Sequence, residues 1–322
     1  MRILFITANR LGDAILSTGL LGHFANTYPK AAITVATGPI PAPIFSRAPG
    51  LERCIIMEKK PFSSHWLTLW KQVFTTRWDI IVDLRRSALG YFLMNRKHHL
   101  IPKPDDQCHR VKFIARIVEL EEKPPSPRIW ITSQERTKAV TLLPDCGPIL
   151  AVAPAANWRG KQWRAENFAA LVSRIIAQDG LLPRAAVAVL GSADERQQAD
   201  PVLAALPSDQ RIDLVGTTSL LTLAACLERC SLFVGNDSGL MHMAAATGIP
   251  TLGLFGPSRE TLYGPWGSHC RWVRTPQSFE ELTGTSGYNH RTTDTLMDGL
   301  HVKVVEDALV KLWNQVKGMQ DG

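Results

Sequence analysis

Short apolar runs alternate with longer amphipathic stretches along most of the chain. In the first half, the apolar runs predict strands at Arg2–Ala8, Ala32–Ala36, Arg53–Met57, Asp79–Asp83 and His98–Ile101. The stretches between them predict helices at Ala14–Tyr28, Trp66–Thr75, Ser87–Asn95 and Val111–Glu119. This alternation is typical of a parallel sheet covered by helices on both faces.

The alternation stops at the proline-rich segment Lys123–Arg128 and starts again beyond it. Ser133–Leu143 has a helical pattern, and residues 144–148 predict a linker. The second series predicts strands at Ile149–Ala153, Ala185–Leu190, Arg211–Val215, Leu232–Val234 and Thr251–Leu254. Its predicted helices are Ala165–Asp179, Glu195–Leu206, Leu220–Leu227, Gly239–Thr247 and a final amphipathic helix at about Val302–Val316.

The two series predict two similar α/β domains. We place the first domain at residues 1–145 and the second at 146–300, with a separate terminal helix at 301–322. Parallel sheets bind ligands at the carboxyl ends of their strands, so we expect a ligand in a cleft where both domains present these ends.

Composition adds that this is a globular chain without a predicted membrane span. Of its 322 residues, 45% are hydrophobic and 20% are charged, and no apolar run approaches the ~18 residues that a spanning helix needs. The apolar residues 3–8 are too short for a signal segment and predict a first strand. The six cysteines are scattered, which favours free thiols in a reducing compartment and a cytoplasmic protein.

Basic residues concentrate in the first half of the chain. Residues 1–150 contain 21 Lys and Arg against 12 Asp and Glu, whereas residues 151–322 contain 15 against 17. A solvated basic surface explains this equally well as an anionic partner does. Among anionic partners, nucleic acid has the least support, because no nucleic-acid-reading motif accompanies the charge.

The most informative stretch is Gly235–Gly239, which lies between a strand and a helix. Its sequence, Gly-Asn-Asp-Ser-Gly, predicts a tight turn with Asp237 or Ser238 available to cap the helix. Such a junction directs backbone N–H groups and the positive end of a helix dipole toward one place, which suits a phosphate. An ordinary turn of an α/β domain is the alternative.

Two more junctions follow predicted strands. Asn9–Asp13 carries Asp13 at the start of a helix, where it is either a general base or an acid that favours the helix dipole. Ala153–Trp163 carries Arg159 and Lys161, which are either phosphate partners or part of a solvated basic loop.

Together these junctions resemble glycosyltransferase family 9, the bacterial heptosyltransferases. The motifs that carry the resemblance are Arg10-Leu-Gly-Asp13, Lys161-Gln-Trp163, Asp237-Ser-Gly-Leu-x-His242 and Gly253-Leu-Phe-Gly-Pro257. The resemblance implies the GT-B fold, in which two Rossmann-like domains face a cleft, the first binding the acceptor and the second the donor. It also implies that the last helix crosses back toward the first domain.

The resemblance implies inverting transfer of a heptose from ADP-heptose to the inner core of lipopolysaccharide. Asp13 matches the proposed base and Lys161 a lysine that meets the donor diphosphate. The implied donor site consists of Glu195 at the ribose, Thr218 near the adenine, and Asp237, Ser238 and Gly239 at the phosphates. His242, one turn into the same helix, is either a further diphosphate contact or a core residue.

The sequence also predicts which groups stabilise the charge of the diphosphate and of the acceptor. No Asp-x-Asp motif is present, so we expect cationic side chains and a helix dipole to replace a metal, and we expect no cofactor. The predicted acceptor-binding residues are Arg10, Arg85, Arg86, Arg96 and Lys97. These would face an anionic glycolipid at the inner face of the cytoplasmic membrane, with the protein peripherally attached.

Two other hypotheses remain open at this stage. One is a family member with a different donor sugar. The other is a non-catalytic protein that binds nucleotide sugars on the same fold, although such a protein would not need the base Asp13.

Overall fold

The two predicted series of strands and helices form two separate sheets. The computed structural model describes residues 1–143, 147–284, 288–289 and 292–320. Its contacts divide the chain into two compact units, Met1–Thr132 and Ser133–Gly322.

The first unit contains one five-stranded parallel sheet. Its strands are β1 (Arg2–Ile6), β2 (Ala32–Thr37), β3 (Leu51–Ile56), β4 (Trp78–Asp83) and β5 (Asn95–Leu100). Its helices are α1 (Leu11–Thr27), α2 (Ala42–Phe45), α3 (His65–Val73) and α4 (Arg110–Ala115). The strand order is β3-β2-β1-β4-β5. The order reverses between β1 and β4, where ligands of open α/β sheets bind.

Apolar periodicity explains how α3 packs on this sheet. His65, Leu69 and Val73 recur at every fourth position and are buried. Leu69 and Val73 pack into a core cluster with Leu4 and Ile81 from the two central strands.

The second unit contains a six-stranded sheet of the same kind. Its strands are β6 (Ile149–Ala153), β7 (Ala186–Val189), β8 (Arg211–Asp213), β9 (Leu232–Asn236), β10 (Thr251–Phe255) and β11 (Cys270–Arg274). The strand order is β11-β10-β9-β6-β7-β8, and every pair is parallel. This is the order of a dinucleotide-binding fold, with the reversal between β6 and β9.

Eight helices are described in the second unit. They are α5 (Ser133–Leu142), α6 (Ala165–Ile176), α7 (Arg196–Ala204), α8 (Leu220–Glu228), α9 (Gly239–Thr247), α10 (Glu260–Tyr263), α11 (Phe279–Thr283) and α12 (Val302–Gln320). Phe168, Leu171, Val172 and Ile175 form the buried face of α6. Their spacing of three and four residues is that of one helical stripe.

One predicted helix is wrong. The predicted helix Ser87–Asn95 is a short 3-10 turn at Leu89–Phe92, followed directly by β5. The carboxylate of Asp83 accepts hydrogen bonds from the backbone N–H groups of Arg85 and Ser87 and from the Ser87 hydroxyl. These local bonds favour a turn over a helix.

The last helix belongs to the core of the second unit. α12 packs against α6 and the strands β10 and β11, and its residues Val305, Leu309 and Leu312 belong to the core of the second unit. These contacts attach α12 to the second unit, and the crossing toward the first domain stays a prediction.

The division between the units also falls earlier than the predicted boundary. α5 packs on α8 and therefore belongs to the second unit, whereas the sequence-based boundary assigned it to the first domain. The predicted boundary residues, Asp145 and Cys146, and most of the predicted linker lie outside the described residues. In the part of the chain that the structure describes, no helix has the length and apolar character to cross a membrane.

Candidate active site

The strand reversal of the second sheet brings two of the predicted junctions side by side. β6 ends at Ala153 beside Gly235 of β9, in parallel register. The loop after β6 carries Lys161 in a 3-10 turn, Arg159–Lys161, and the turn after β9 leads into α9. Both loops therefore leave the same edge of the sheet.

Lys161 forms an ion pair with Asp237 across these two loops. Its Nζ lies 2.5 Å from Asp237 Oδ2, and the Asp237 side chain is only 6% exposed. An ammonium group has three donors, and this bond uses one of them. The structure thus places Asp237, a predicted donor-binding residue, as the carboxylate that orients Lys161.

The turn after β9 leads into a helix whose first N–H groups are available. Ser238 precedes α9 in an extended conformation, and its hydroxyl, although buried, has no hydrogen-bond partner among the described residues. The first N–H groups of a helix have no partner within the helix. Ser238 and Gly239 therefore provide donors next to the Lys161 ammonium group. His242 lies one turn further on and is 4% exposed.

Asn236, a residue that the sequence analysis missed, connects the end of β9 to the loop after β6 by hydrogen bonds. Its side chain accepts a hydrogen bond from Trp163 N–H at 3.1 Å and donates one to the Pro154 carbonyl at 2.7 Å. The residue is fully buried. Its position at the end of β9, before the Asp-Ser-Gly turn, is the only signal in the sequence.

The segment 294–300 holds the Lys161 loop from its other side. We name this segment the clasp. Thr295 Oγ1 donates to the Gln162 carbonyl at 2.5 Å, Leu296 N–H donates to the Gly160 carbonyl at 3.0 Å, and Trp163 Nε1–H donates to the Leu300 carbonyl at 2.7 Å. In addition, Asp294 and Asp298 accept from arginines of the loop. Arg159 holds the pKa of Asp294 below its ordinary value through its hydrogen bond.

Removing the Asn236 side chain should destabilise the second unit. Asn236→Ala leaves the Trp163 N–H and the Pro154 carbonyl without these partners, and unpaired buried polar groups cost about 1–3 kcal/mol each. We expect the urea midpoint of unfolding to fall clearly. Asn314→Ala, on the exposed side of α12, is the matched control and should change it little. Equal midpoints for the two variants would show that the Asn236 bridge does not stabilise the unit.

The remaining predicted donor residues lie further along the same edge. Glu195 Oε2 accepts from Ser192 N–H at 2.8 Å in the turn after β7. Thr218 lies in the loop after β8, close to Gly216, whose N–H donates to the Gly191 carbonyl at 2.9 Å. Gly216 has φ +68, and a Cβ there would lie 2.8 Å from Ala193, so this close contact of the two loops requires glycine.

The first sheet brings together a second group of predicted residues at its own reversal point. Asn9 and Arg10 follow β1, and Asp13 lies in the first turn of α1. Arg85 follows β4, and its guanidinium donates to Asn9 Oδ1 at 2.8 Å. Asp13, Arg10, Arg85 and the adjacent Arg86 therefore share the carboxyl edge of this sheet.

Arg96 and Lys97 do not belong to this group. They are the second and third residues of β5, the edge strand, and Arg96 pairs with Asp79 near the start of β4. Four residues of strand, about 13 Å, separate Arg96 from the carboxyl edge at Leu100. The structure therefore separates the predicted acceptor-binding set into two groups within the first unit.

Ser258 is another residue that the sequence analysis did not single out. It follows β10 in the Gly-Pro-Ser turn, is 7% exposed, and its hydroxyl has no hydrogen-bond partner in the described part of the chain. The same described residues contain no group of three or more His, Cys, Asp or Glu side chains placed to hold a metal ion.

Two Rossmann-like units with N–H donors at a helix start define a class of protein that binds nucleotides or phosphates. The model of glycosyltransferase family 9 (heptosyltransferase) matches residues 54–285, well over half of the chain. The chain belongs to glycosyltransferase family 9. The matched span includes Lys161 and the Gly235–Gly239 turn but begins after Asp13.

Curated relatives match nearly the whole chain. Lipopolysaccharide heptosyltransferase 2 of Salmonella typhimurium is 24% identical and covers 96% of this chain and 100% of its own length. The enzyme of the same name from Escherichia coli is 25% identical, with 91% of this chain and 94% of its own length covered.

Solved structures confirm the fold. A family 9 glycosyl transferase from Veillonella parvula superposes with a TM-score of 0.79 at 21% identity, covering 98% of this chain and 97% of its own. E. coli ADP-heptose lipopolysaccharide heptosyltransferase II gives a TM-score of 0.74 at 22% identity, covering 98% and 100%. At these identities the likeness supports the fold alone.

Proposed function

We propose that this glycosyltransferase transfers a heptose from ADP-heptose to the inner core of lipopolysaccharide or a related anionic glycolipid. The names of the curated relatives support heptose and lipopolysaccharide, and the name of the solved E. coli enzyme adds ADP-heptose as donor. Within the chain, the proposal rests on one observation, the row of donor-binding candidates along the carboxyl edge of the second sheet.

The order of these residues along the edge matches the order of base, ribose and diphosphate in a nucleoside diphosphate. Thr218 follows β8, Glu195 follows β7, Lys161 follows β6, and Ser238 follows β9, on four neighbouring strands. Three inter-strand steps span about 14 Å. We assign the base to the Thr218 end, the ribose to Glu195, whose carboxylate accepts hydroxyl donors, and the diphosphate to the Lys161 end.

The Lys161 end suits a departing diphosphate. In the transition state, negative charge grows on the leaving phosphate oxygens, and prearranged donors stabilise it. Lys161 supplies a full positive charge, and α9 supplies N–H groups and the positive end of its dipole. Ser238 supplies a hydroxyl that has no other partner among the described residues.

The acceptor half of the reaction needs a proton acceptor. The acceptor hydroxyl loses its proton as its oxygen attacks the anomeric carbon, and a carboxylate can take this proton. We assign this role to Asp13 in the first unit. Attack from the side opposite the diphosphate inverts the anomeric carbon, and the sugar moves in one step without an intermediate on the protein.

A thermal-shift panel with transfer assays tests the donor. A ligand that binds only the folded chain raises the unfolding midpoint by mass action. We expect ADP and ADP-heptose to raise it more than the UDP, GDP and TDP counterparts, and heptose to appear on a lipopolysaccharide core that lacks it. A clear preference for another base, or binding without transfer, would overturn the proposed donor or the proposed reaction.

The reaction should proceed without a divalent metal ion. Lys161 and the start of α9 carry the positive charge that a metal would otherwise supply. We expect full activity in excess EDTA. Loss of activity in EDTA with recovery in Mg²⁺ or Mn²⁺ would refute metal independence.

The two groups of basic residues in the first unit should differ in their effect on the acceptor. Arg85→Gln with Arg86→Gln removes charge at the edge that carries Asp13, and hydrogen bonds to charged groups contribute about 1.5–3 kcal/mol. We therefore expect the apparent KM for detergent-dispersed acceptor to rise at least about tenfold, with little change for the donor.

Arg96→Gln with Lys97→Gln is the matched control, because it removes the same charge at the other end of the sheet. Its KM for the acceptor should stay within about threefold, as exposed ion pairs contribute little. An equal rise for both double variants would assign all four residues to the acceptor site.

The proposed acceptor is a membrane glycolipid, which places the reaction at the cytoplasmic face of the inner membrane. We propose that the protein attaches there peripherally.

A further inference from the structure

Exposed apolar side chains concentrate in one part of the first unit. Thirteen large hydrophobic residues are exposed among those described, and six of them lie between residues 62 and 94. We name these six the apolar face: Phe62, Leu67, Phe74, Tyr91, Phe92 and Met94. Contiguous exposed apolar surface marks an interaction site more often than scattered single residues do.

Direct contacts join two of the segments that carry this face, α3 and the turn Leu89–Phe92. The Trp70 ring stacks on Phe74 with centroids 4.6 Å apart, and Trp70 Nε1–H donates to the Phe92 carbonyl at 3.2 Å. α3 and the turn Leu89–Phe92 are therefore held side by side. Leu67 and Phe74 lie on the solvent-exposed side of α3, away from its buried residues.

Phe62 forms a protruding tip. Its ring is fully exposed, and both Phe62 and Ser63 adopt left-handed backbone conformations, φ 52 and 56. Residues with a Cβ rarely adopt this region, and a side chain held out in this way is not explained by packing within the chain. A convex apolar tip suits insertion into a soft surface rather than a rigid partner pocket.

The charge around the apolar face indicates that its partner is an anionic lipid surface. Between Glu58 and Pro104 the chain has nine Lys and Arg residues and three acidic residues, Glu58, Asp79 and Asp83. Asp83 is fully buried, and Asp79 is engaged by the Arg2 N–H and by Arg96. Anionic lipid surfaces attract such basic segments, while aromatic side chains enter the interfacial region of a bilayer.

The start of α3 connects the face to the carboxyl edge of the first sheet. The Arg85 guanidinium lies 5.6 Å above the Trp66 ring of α3 and also donates to Asn9, beside Arg10. We infer that the apolar face, with Lys59, Lys60 and Lys71, is the surface by which this chain docks on an anionic lipid bilayer. The inference rests on the proposed function in giving this docking a purpose, since a docked face would bring the candidate acceptor residues to lipid-linked acceptors.

Flotation of the full chain with vesicles tests the inference without donor or acceptor. Vesicles of phosphatidylcholine with phosphatidylglycerol should carry the protein, whereas vesicles of phosphatidylcholine alone should carry much less, and high salt should weaken the binding. Phe62→Ser with Leu67→Ser and Phe92→Ser should lower partitioning at least about tenfold. Val140→Ser with Trp272→Ser and Val304→Ser replaces exposed apolar residues of the second unit, 46–49% exposed, and should not lower it.

The charge variants complete the test. Lys59→Gln with Lys60→Gln and Lys71→Gln should lose binding to anionic vesicles, and Lys30→Gln with Lys123→Gln and Lys138→Gln should keep it. Binding that is absent in the parent, or equal in both sets of variants, overturns the inference. A concentration-dependent dimer that the Phe62, Leu67 and Phe92 variant abolishes would instead assign the face to a second copy.

This test separates the inference from the proposed function. A chain that transfers heptose to a detergent-dispersed acceptor but never binds vesicles retains its function and loses the docking surface. A chain that binds vesicles through this face but transfers no heptose has the opposite outcome.

Discussion

Asp13→Asn is expected to lower turnover by about 10²–10⁴-fold, the usual range for loss of a general base. The substitution keeps the size and shape of the side chain and removes its ability to accept a proton. Asp13 lies in the first turn of α1, whose N-cap is Arg10, so the capping residue is unchanged. Donor affinity should therefore remain close to that of the parent. Single-turnover and steady-state assays with saturating donor measure the effect.

The alternative role for Asp13 is favourable interaction with the helix dipole. That role contributes only about 0.3–1 kcal/mol to stability and leaves turnover within a few-fold of the parent. Glu166→Gln is a matched control, because Glu166 is also an acidic residue in the first turn of a helix, α6. Equal turnover in the two variants would exclude Asp13 as the base. The experiment matters because the family match begins beyond Asp13.

Lys161→Ala should be the second large effect. It removes the charge that meets the diphosphate in the ground state and in the transition state, so both donor affinity and turnover should fall. Loss of one such donor typically costs about 10²–10³-fold. Arg174→Ala, which breaks an exposed ion pair with Glu306 in the same unit, is the control and should have little effect.

Because Lys161 also pairs with Asp237, a slow Lys161→Ala variant has two possible causes. A double variant distinguishes them. Lys161→Ala leaves the Asp237 carboxylate buried without this cation, which is costly in itself. Lys161→Ala with Asp237→Asn removes that penalty. If Lys161 contacts the diphosphate, the double variant stays as slow as the single one. Recovery of activity would show instead that Lys161 only neutralises Asp237.

The sequence predicts the elements that position the site because their patterns are local. The strand Leu232–Val234 and the helix Gly239–Thr247 are predicted from one apolar run and one Gly-rich turn. Both are confirmed, with the strand extended to Asn236. β11 was missed, because two of the five residues of this edge strand are Arg and none of the five is buried, so it has no continuous apolar run. The predicted helix Ser87–Asn95 is absent because the Asp83 carboxylate accepts hydrogen bonds from the backbone N–H groups that follow it, which favours a turn.

Pairings between distant residues could not be predicted in the same way. The sequence offers Asp237 as a donor-binding carboxylate, and only the structure shows it paired with Lys161, 76 positions away. Likewise, Arg96 and Lys97 look equivalent to Arg85 and Arg86 by charge. Sheet register separates them, because it depends on which strands become neighbours.

The clasp has a consequence for how the protein is made. Its bonds join residues 133 and 137 positions apart, Gln162 with Thr295 and Trp163 with Leu300. Domains generally fold as units during synthesis, the N-terminal one first, so the unit Met1–Thr132 can fold while the ribosome is still translating the rest. The Lys161 loop, in contrast, forms these hydrogen bonds only after residues 294–300 have emerged from the ribosome. A chain that stops before residue 294 therefore has a folded first unit and a Lys161 loop that lacks the hydrogen bonds of the clasp.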